Sequence, residues 1–162
     1  MRFLELVQIE EWCDKHGIRL SNRLPTPDPL LSHHARSTYS EGKRSGRELS
    51  VAASCVKTLG AWEECLLWVT GWGIWASGED WPKYYAARGA RGERRSLQTA
   101  PGHLFEAGES TAMTEFITLV LENAWDAFIL PAALGGDMRL RICVSHDEWL
   151  EVCSTAPIAF RQ

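Results

Sequence analysis

Few residues in this chain stand close enough in sequence to suggest joint chemistry. The tightest grouping is Ser145-His146-Asp147-Glu148, where a hydroxyl, an imidazole and two carboxylates follow one another. An imidazole next to an acid can act as a general base in hydrolysis. Adjacent residues on a strand or turn project in different directions, however, and a solvated hairpin turn has the same composition. His103, which follows Pro101-Gly102, is the other acid–base candidate, and a loop or cap position explains it equally well. A hydrolase would draw on His103, His146 and Asp147.

The stronger local anomaly is basic. Between Lys83 and Arg95 stand Lys83, Arg88, Arg91, Arg94 and Arg95 against the single acid Glu93, inside a chain of net charge −4. Arginine forks match phosphate and carboxylate oxygens, and the intervening glycines let backbone N–H groups approach an anion. Trp81, Tyr84 and Tyr85 adjoin the segment and can stack on bases or pack against a partner. These eight residues are the expected binding surface, unless the arginines pair with acids of their own fold. Neither G-x-x-x-x-G-K-[ST] nor G-x-G-x-x-G occurs, so a nucleotide cradle lacks its usual support.

Metal and cysteine chemistry find less. His33-His34 are neighbours with no further ligand three or four residues away. Cys13, Cys55, Cys65, Cys143 and Cys153 contain no C-x-x-C pair, and each sits in an apolar stretch where reduced, packing cysteines belong. The expectation is no metal, no cofactor and no nucleophilic cysteine, with Cys153 the most exposed of the five.

The elements that must position these residues are read from periodicity. Phe3, Leu6, Val7, Trp12 and Cys13 share a helical face over 3–16, which Gly17 ends. Pro25, Pro27 and Pro29 force extended geometry within a surface connection at about 20–43. Ser45-Gly46-Arg47-Glu48 fits a capping box opening a helix over 45–59. Met113, Phe116, Ile117 and Val120 give the clearest amphipathic helix, over 110–124. Residues 65–75 alternate between two apolar faces, as in a strand covered on both sides. Strands at 126–131, 138–145 and 148–153, with turns at 134–137 and 145–148, complete a meander. The fold class is therefore α+β, with a mainly antiparallel sheet of about four strands packed by amphipathic helices.

The 162 residues suit one globular domain over 1–162. Eight tryptophans set the chain apart: Trp68, Trp72 and Trp125 are expected inside, and Trp62, Trp75, Trp81 and Trp149 at element ends. The early acids Glu5 and Glu10 break any secretory apolar run, and no stretch approaches a membrane span. The expectation is a soluble cytoplasmic protein with no membrane association. Its acidic balance and lack of motifs favour a non-enzymatic binder of another protein, of immunity, adaptor or inhibitor type. A small anionic ligand or, less so, nucleic acid at the basic loop is the alternative, and a His/Asp hydrolase the third reading.

Overall fold

The computed structural model describes residues 1–39, 46–133 and 139–157. In chain order these form β1 (Arg2–Leu4), α1 (Leu6–Lys15), β2 (Leu20–Ser21), β3 (Leu24–Pro25), β4 (His33–Thr38), α2 (Glu48–Leu59) and β5 (Trp62–Gly71). They continue with α3 (Trp81–Gly89), β6 (Gly102–Glu106), α4 (Ser110–Glu122), β7 (Asp126–Ala133), β8 (Leu140–Ser145) and β9 (Trp149–Ser154). No helix among the described residues is long and apolar enough to cross a membrane.

The α+β class holds, but the sheet has seven strands rather than four, in the order β1-β6-β5-β7-β8-β9-β4, all paired antiparallel. Alternation along β5 divides the core. Cys65, Leu67 and Val69 face α2 and α4, whose Val51, Ala52, Cys55, Met113, Phe116, Ile117 and Val120 are buried against them. Leu66 and Trp68 face the other way, under Ile9, Trp12 and Cys13 of α1. Burying an aromatic of this size removes roughly 150–250 Å² from water, provided its polar N–H finds a partner. Trp12 donates to Glu64 at 3.0 Å and Trp125 to Glu79 at 2.9 Å.

The three additional strands come from segments with weak apolar alternation. β4 lies inside the expected connection at 20–43 and forms one edge of the sheet, so His33-His34-Ala35-Arg36-Ser37-Thr38 carries no apolar stripe. β1 is the other edge, and it takes the first residues of the expected 3–16 helix, which begins only at Leu6 with Glu5 and Gln8 capping each other. β6 joins β1 to β5 and contains His103.

The expected strand over 65–75 begins earlier and ends at Gly71, beyond a register irregularity between Val69 and Gly71. Trp72, Ile74 and Trp75 therefore leave the sheet, and Gly73 takes φ 77° in that departure. The helices expected at 45–59 and 110–124 run over Glu48–Leu59 and Ser110–Glu122. Ser45 of the capping box, the turn at 134–137 and Met138 lie outside the described residues.

α1 shields only the β6-β5-β7 part of its face. Across β8, β9 and β4 the same face carries Arg141, Cys143, Glu151, Cys153, His34 and Arg36 in place of an apolar layer.

Candidate functional site

The basic segment is divided between surface and interior: Lys83 and Arg94 are exposed, Arg91 and Arg95 half-buried, and Arg88 buried. α3 starts at an N-cap where the Asp80 carboxylate accepts Lys83 N–H, and one face of the helix turns Tyr84 and Arg88 inward, both wholly buried. The Arg88 guanidinium donates to the Ala100 carbonyl from both terminal nitrogens at 3.1 Å, to the Tyr84 hydroxyl at 3.0 Å and to the Arg95 carbonyl at 3.3 Å. It also lies 4.6 Å over the Phe3 ring. Arg88 thus closes its own loop.

The other cations are similarly engaged. Arg95 pairs with Glu93 at 2.6 Å and Glu5 at 2.9 Å, and donates to the Phe3 carbonyl. These hydrogen bonds from Arg95 hold the Glu93 carboxyl down at about 2. Arg91 pairs with Glu115 at 2.6 Å, and Lys83 with Glu122 at 2.5 Å. Trp81 and Tyr85 stack at 5.7 Å, with the Tyr85 hydroxyl accepting Leu97 N–H. Arg94 alone of the five is exposed with no ion pair to any of the described residues. Arg88 and Tyr84 therefore cannot form an outer binding surface, because both are wholly buried and the terminal nitrogens of Arg88 are directed at neighbouring groups.

His103 is also internal. It is wholly buried beside Phe3, Phe116 and Tyr84, and desolvation, then the Arg88 charge, pushes its imidazole down to about 3. A histidine so enclosed does not meet a substrate.

His146 stands apart from it, following β8 at the rim of a cleft of about 590 Å³. Its backbone N–H and Nδ1 both meet the Asp126 carboxylate at 2.9 Å, while Nε2 lies 3.5 Å from Asp147. The hydrogen bond to Asp126 raises its pKa above the ordinary 6.5. Carboxylates at both ring nitrogens favour the protonated imidazole, so the arrangement suits an ion pair better than a free base.

The cleft is otherwise acidic and apolar: Glu48, Glu122, Asp147 and Glu148 share its lining with Leu121 and Trp75. Trp75 is half exposed and its indole N–H reaches the His146 carbonyl at 3.4 Å. The excursion carrying it is pinned by Glu79, which accepts from Gly73 N–H and from Trp125. Asn123 anchors its far end by accepting Asp80 N–H. Sequence reading found His146, Asp147 and Trp75, but missed Asp126, Glu48 and Glu122. Those acids arrive from β7, α2 and α4, and only the fold brings them together.

A second cluster also escaped the sequence. His34, Glu151 and Cys153 lie on one face of β4 and β9, with one ligand-type atom from each within 4.8 Å of the others. Cys153 is buried and Cys143 partly exposed, the reverse of the expected exposure. The Cys143 thiol donates to Cys153 and so favours the Cys153 thiolate. Burial instead pushes the Cys13 and Cys55 thiols up to about 12, which fits packing residues.

No protein-family model matches the chain, and no curated protein or solved structure matches it significantly.

Proposed function

We propose that this protein is a non-enzymatic binding protein of immunity, adaptor or inhibitor type, and that its contact surface is the acidic cleft beside His146 rather than the basic segment. The observation that carries this reading is the cleft's lining, which Glu48, Glu122, Asp147 and Glu148 share with the half-exposed Trp75 indole. Tryptophan is among the side chains that most often anchor interfaces, and the acids beside it favour a basic partner. A lysine or arginine of the partner would place its aliphatic stem against Trp75, and its charge beside Asp147 and Glu148. Such a surface also steers a basic partner during encounter.

The same geometry weakens the alternatives. An anionic ligand or nucleic acid would need a row of free cations, and among the described residues Lys83, Arg91 and Arg95 are paired with acids and Arg88 is buried. Hydrolysis would need a base, and both nitrogens of His146 are engaged by acids. The five free thiols suit a reducing compartment, which supports a cytoplasmic location.

The test compares partner capture by the wild type, Trp75→Ala, the Asp147→Lys/Glu148→Lys double variant, and Arg94→Glu. Both cleft variants should lose the captured partner, with affinity falling at least about 30-fold, as at hot spots worth about 2 kcal/mol or more. Arg94→Glu should retain it. A partner kept by both cleft variants and lost with Arg94→Glu would return the interface to the basic segment.

A further inference from the structure

The part of the sheet that α1 leaves uncovered has an order of its own. β9 alternates, so Leu150 and Val152 enter the core while Glu151 and Cys153 face the other way. β4 runs antiparallel beside it, with His34 directly opposite Cys153 and Arg36 opposite Glu151. β8 sets Arg141 opposite Cys153 and Cys143 opposite Glu151 on the other side. The result is a small polar grid with an imidazole, a carboxylate and a thiol converging at its centre.

The two distances from His34 are those of a coordination shell, and all three ligand-type atoms lie within 4.8 Å of one another. His34 Nδ1 lies 3.5 Å from Cys153 Sγ and 3.5 Å from a Glu151 carboxylate oxygen. Tetrahedral zinc, with bonds of about 2.0–2.3 Å to nitrogen, oxygen and sulfur, places neighbouring ligand atoms about 3.3–3.8 Å apart. An ordinary exposed His–Glu pair would need no sulfur beside it. A cysteine that merely packs would face apolar neighbours, as Cys55 and Cys65 do.

We propose that His34, Glu151 and Cys153 form a binding site for a single zinc-class divalent ion, with the fourth position open to water. On binding, the Cys153 thiol loses its proton to the buffer and a sulfur–metal bond forms; His34 gives the Nδ1 lone pair and Glu151 one carboxylate oxygen. No oxidation change is involved. One thiolate and one carboxylate balance the dication, leaving the centre neutral. His34 is half exposed and gives the ion a route in, while Cys143 lies outside the shell, opposite Glu151 on β8. The sequence concealed this site because its ligands come from opposite ends of the chain and only one edge pairing unites them. It shares no residue with the acidic cleft.

The test is titration of the whole chain with cobalt(II), then zinc, under a phosphine reductant. One equivalent of cobalt should give the intense visible bands of a four-coordinate site together with a thiolate-to-cobalt charge-transfer band, and zinc should bleach both. Cys153→Ser should abolish the charge-transfer band. His34→Ala, a change at an exposed side chain that leaves the circular dichroism intact, should weaken zinc by more than about 100-fold, beyond the usual cost of an outer-shell change. Zinc should raise the melting temperature of the wild type and not of His34→Ala. Cys143→Ser should still bind one equivalent. The proposal is overturned if the wild type gives no charge-transfer band or if His34→Ala binds as tightly as wild type. A band that survives in His34→Ala and disappears in Cys143→Ser would overturn it too, by marking a dithiol site.

Discussion

The Tyr84 hydroxyl lies 2.7 Å from Nε2 of His103, and both side chains are wholly buried. Arg88 donates to that hydroxyl, so the hydroxyl proton is directed at the imidazole. Nε2 therefore accepts, and Nδ1 carries the hydrogen toward the Leu67 carbonyl at 3.3 Å. The chain Arg88–Tyr84–His103–Leu67 requires a neutral imidazole, which agrees with its depressed pKa. This network ties α3 to β6 and β5, and it is where the basic segment spends its most central charge.

Stability should therefore fall on acidification in a particular window. His103 titrates near 6.5 when unfolded and near 3 when folded, so the unfolded state binds the extra proton first. The contribution is complete above about 6.5 and is lost as pH falls toward 3. Denaturant titrations across that range should show the decline, and NMR should show His103 neutral through most of it. Tyr84→Phe, which leaves Arg88 and His103 facing each other without the bridging hydroxyl, should cost about 1–3 kcal/mol at neutral pH.

Arg88 and Arg94 should respond very differently to removal. Arg88→Met leaves the Ala100 and Arg95 carbonyls without their charged donor and should cost at least about 1.5–3 kcal/mol. Arg88→Lys should recover little of it, because an ammonium cannot reproduce the fork that reaches both carbonyls. Arg94→Ala, at an exposed side chain, should stay within about 0.5 kcal/mol of wild type. Urea midpoints for the three variants measure this directly. Equal losses at both positions would mean that the burial of Arg88 is not what holds the loop.

His146 should titrate above its ordinary value, with a sign opposite to that of His103. Its pair with Asp126 contributes fully below about 6.5, the unfolded value, and is lost as pH rises through the raised folded value. Asp126→Asn removes the principal cause, so the His146 resonance should shift its midpoint down by NMR. The slope of stability against pH just above neutrality should flatten in the same variant. An unmoved midpoint would assign the shift to Asp147 instead.

Gly71 offers a steric check on the same pair. A Cβ built there would lie 2.5 Å from Asp126 Oδ2, and 3.1 and 3.2 Å from its Cβ and Cγ. Gly71→Ala should push that carboxylate off the imidazole, lower the His146 midpoint and cost about 1–3 kcal/mol by overpacking. Comparison with Asp126→Asn separates the effects, since Asp126→Asn changes the charge without adding bulk.

The legible parts of the fold were those with strong periodicity. Met113, Phe116, Ile117 and Val120 gave α4 its register, and the two apolar faces around Leu66 and Leu67 identified β5 as a strand covered on both sides. β6, an inner strand of five residues behind Pro101, was too short to show a period, and β4 and β1 were missed for another physical reason. Edge strands are held by backbone hydrogen bonds along one side and carry polar side chains, so period two leaves little apolar trace in His33–Thr38. The basic segment was found for its charge, but charge density does not reveal burial: Arg88 is inside because Ala100 and Arg95 offer carbonyls there. Of the tryptophans, Trp68 and Trp125 are in the core as expected, whereas Trp62, placed at a margin, is buried too. The cleft was visible only as His146, Asp147 and Trp75, since its remaining acids are distant in sequence.

The placement of β1 and β4 at opposite borders of the sheet bears on how the molecule comes to be assembled. β5 to β9 can zip up from the hairpins and helix crossovers between Trp62 and Ser154, whereas both outer strands come from the first 39 residues. His33 must wait for Ser154 and Thr38 for Trp149 before either has a ladder partner. During synthesis the earliest-made strands are thus the last to find their places, and such non-local pairing slows folding. The pairing pattern predicts that residues 1–39 close late, as a clasp over both rims of the sheet.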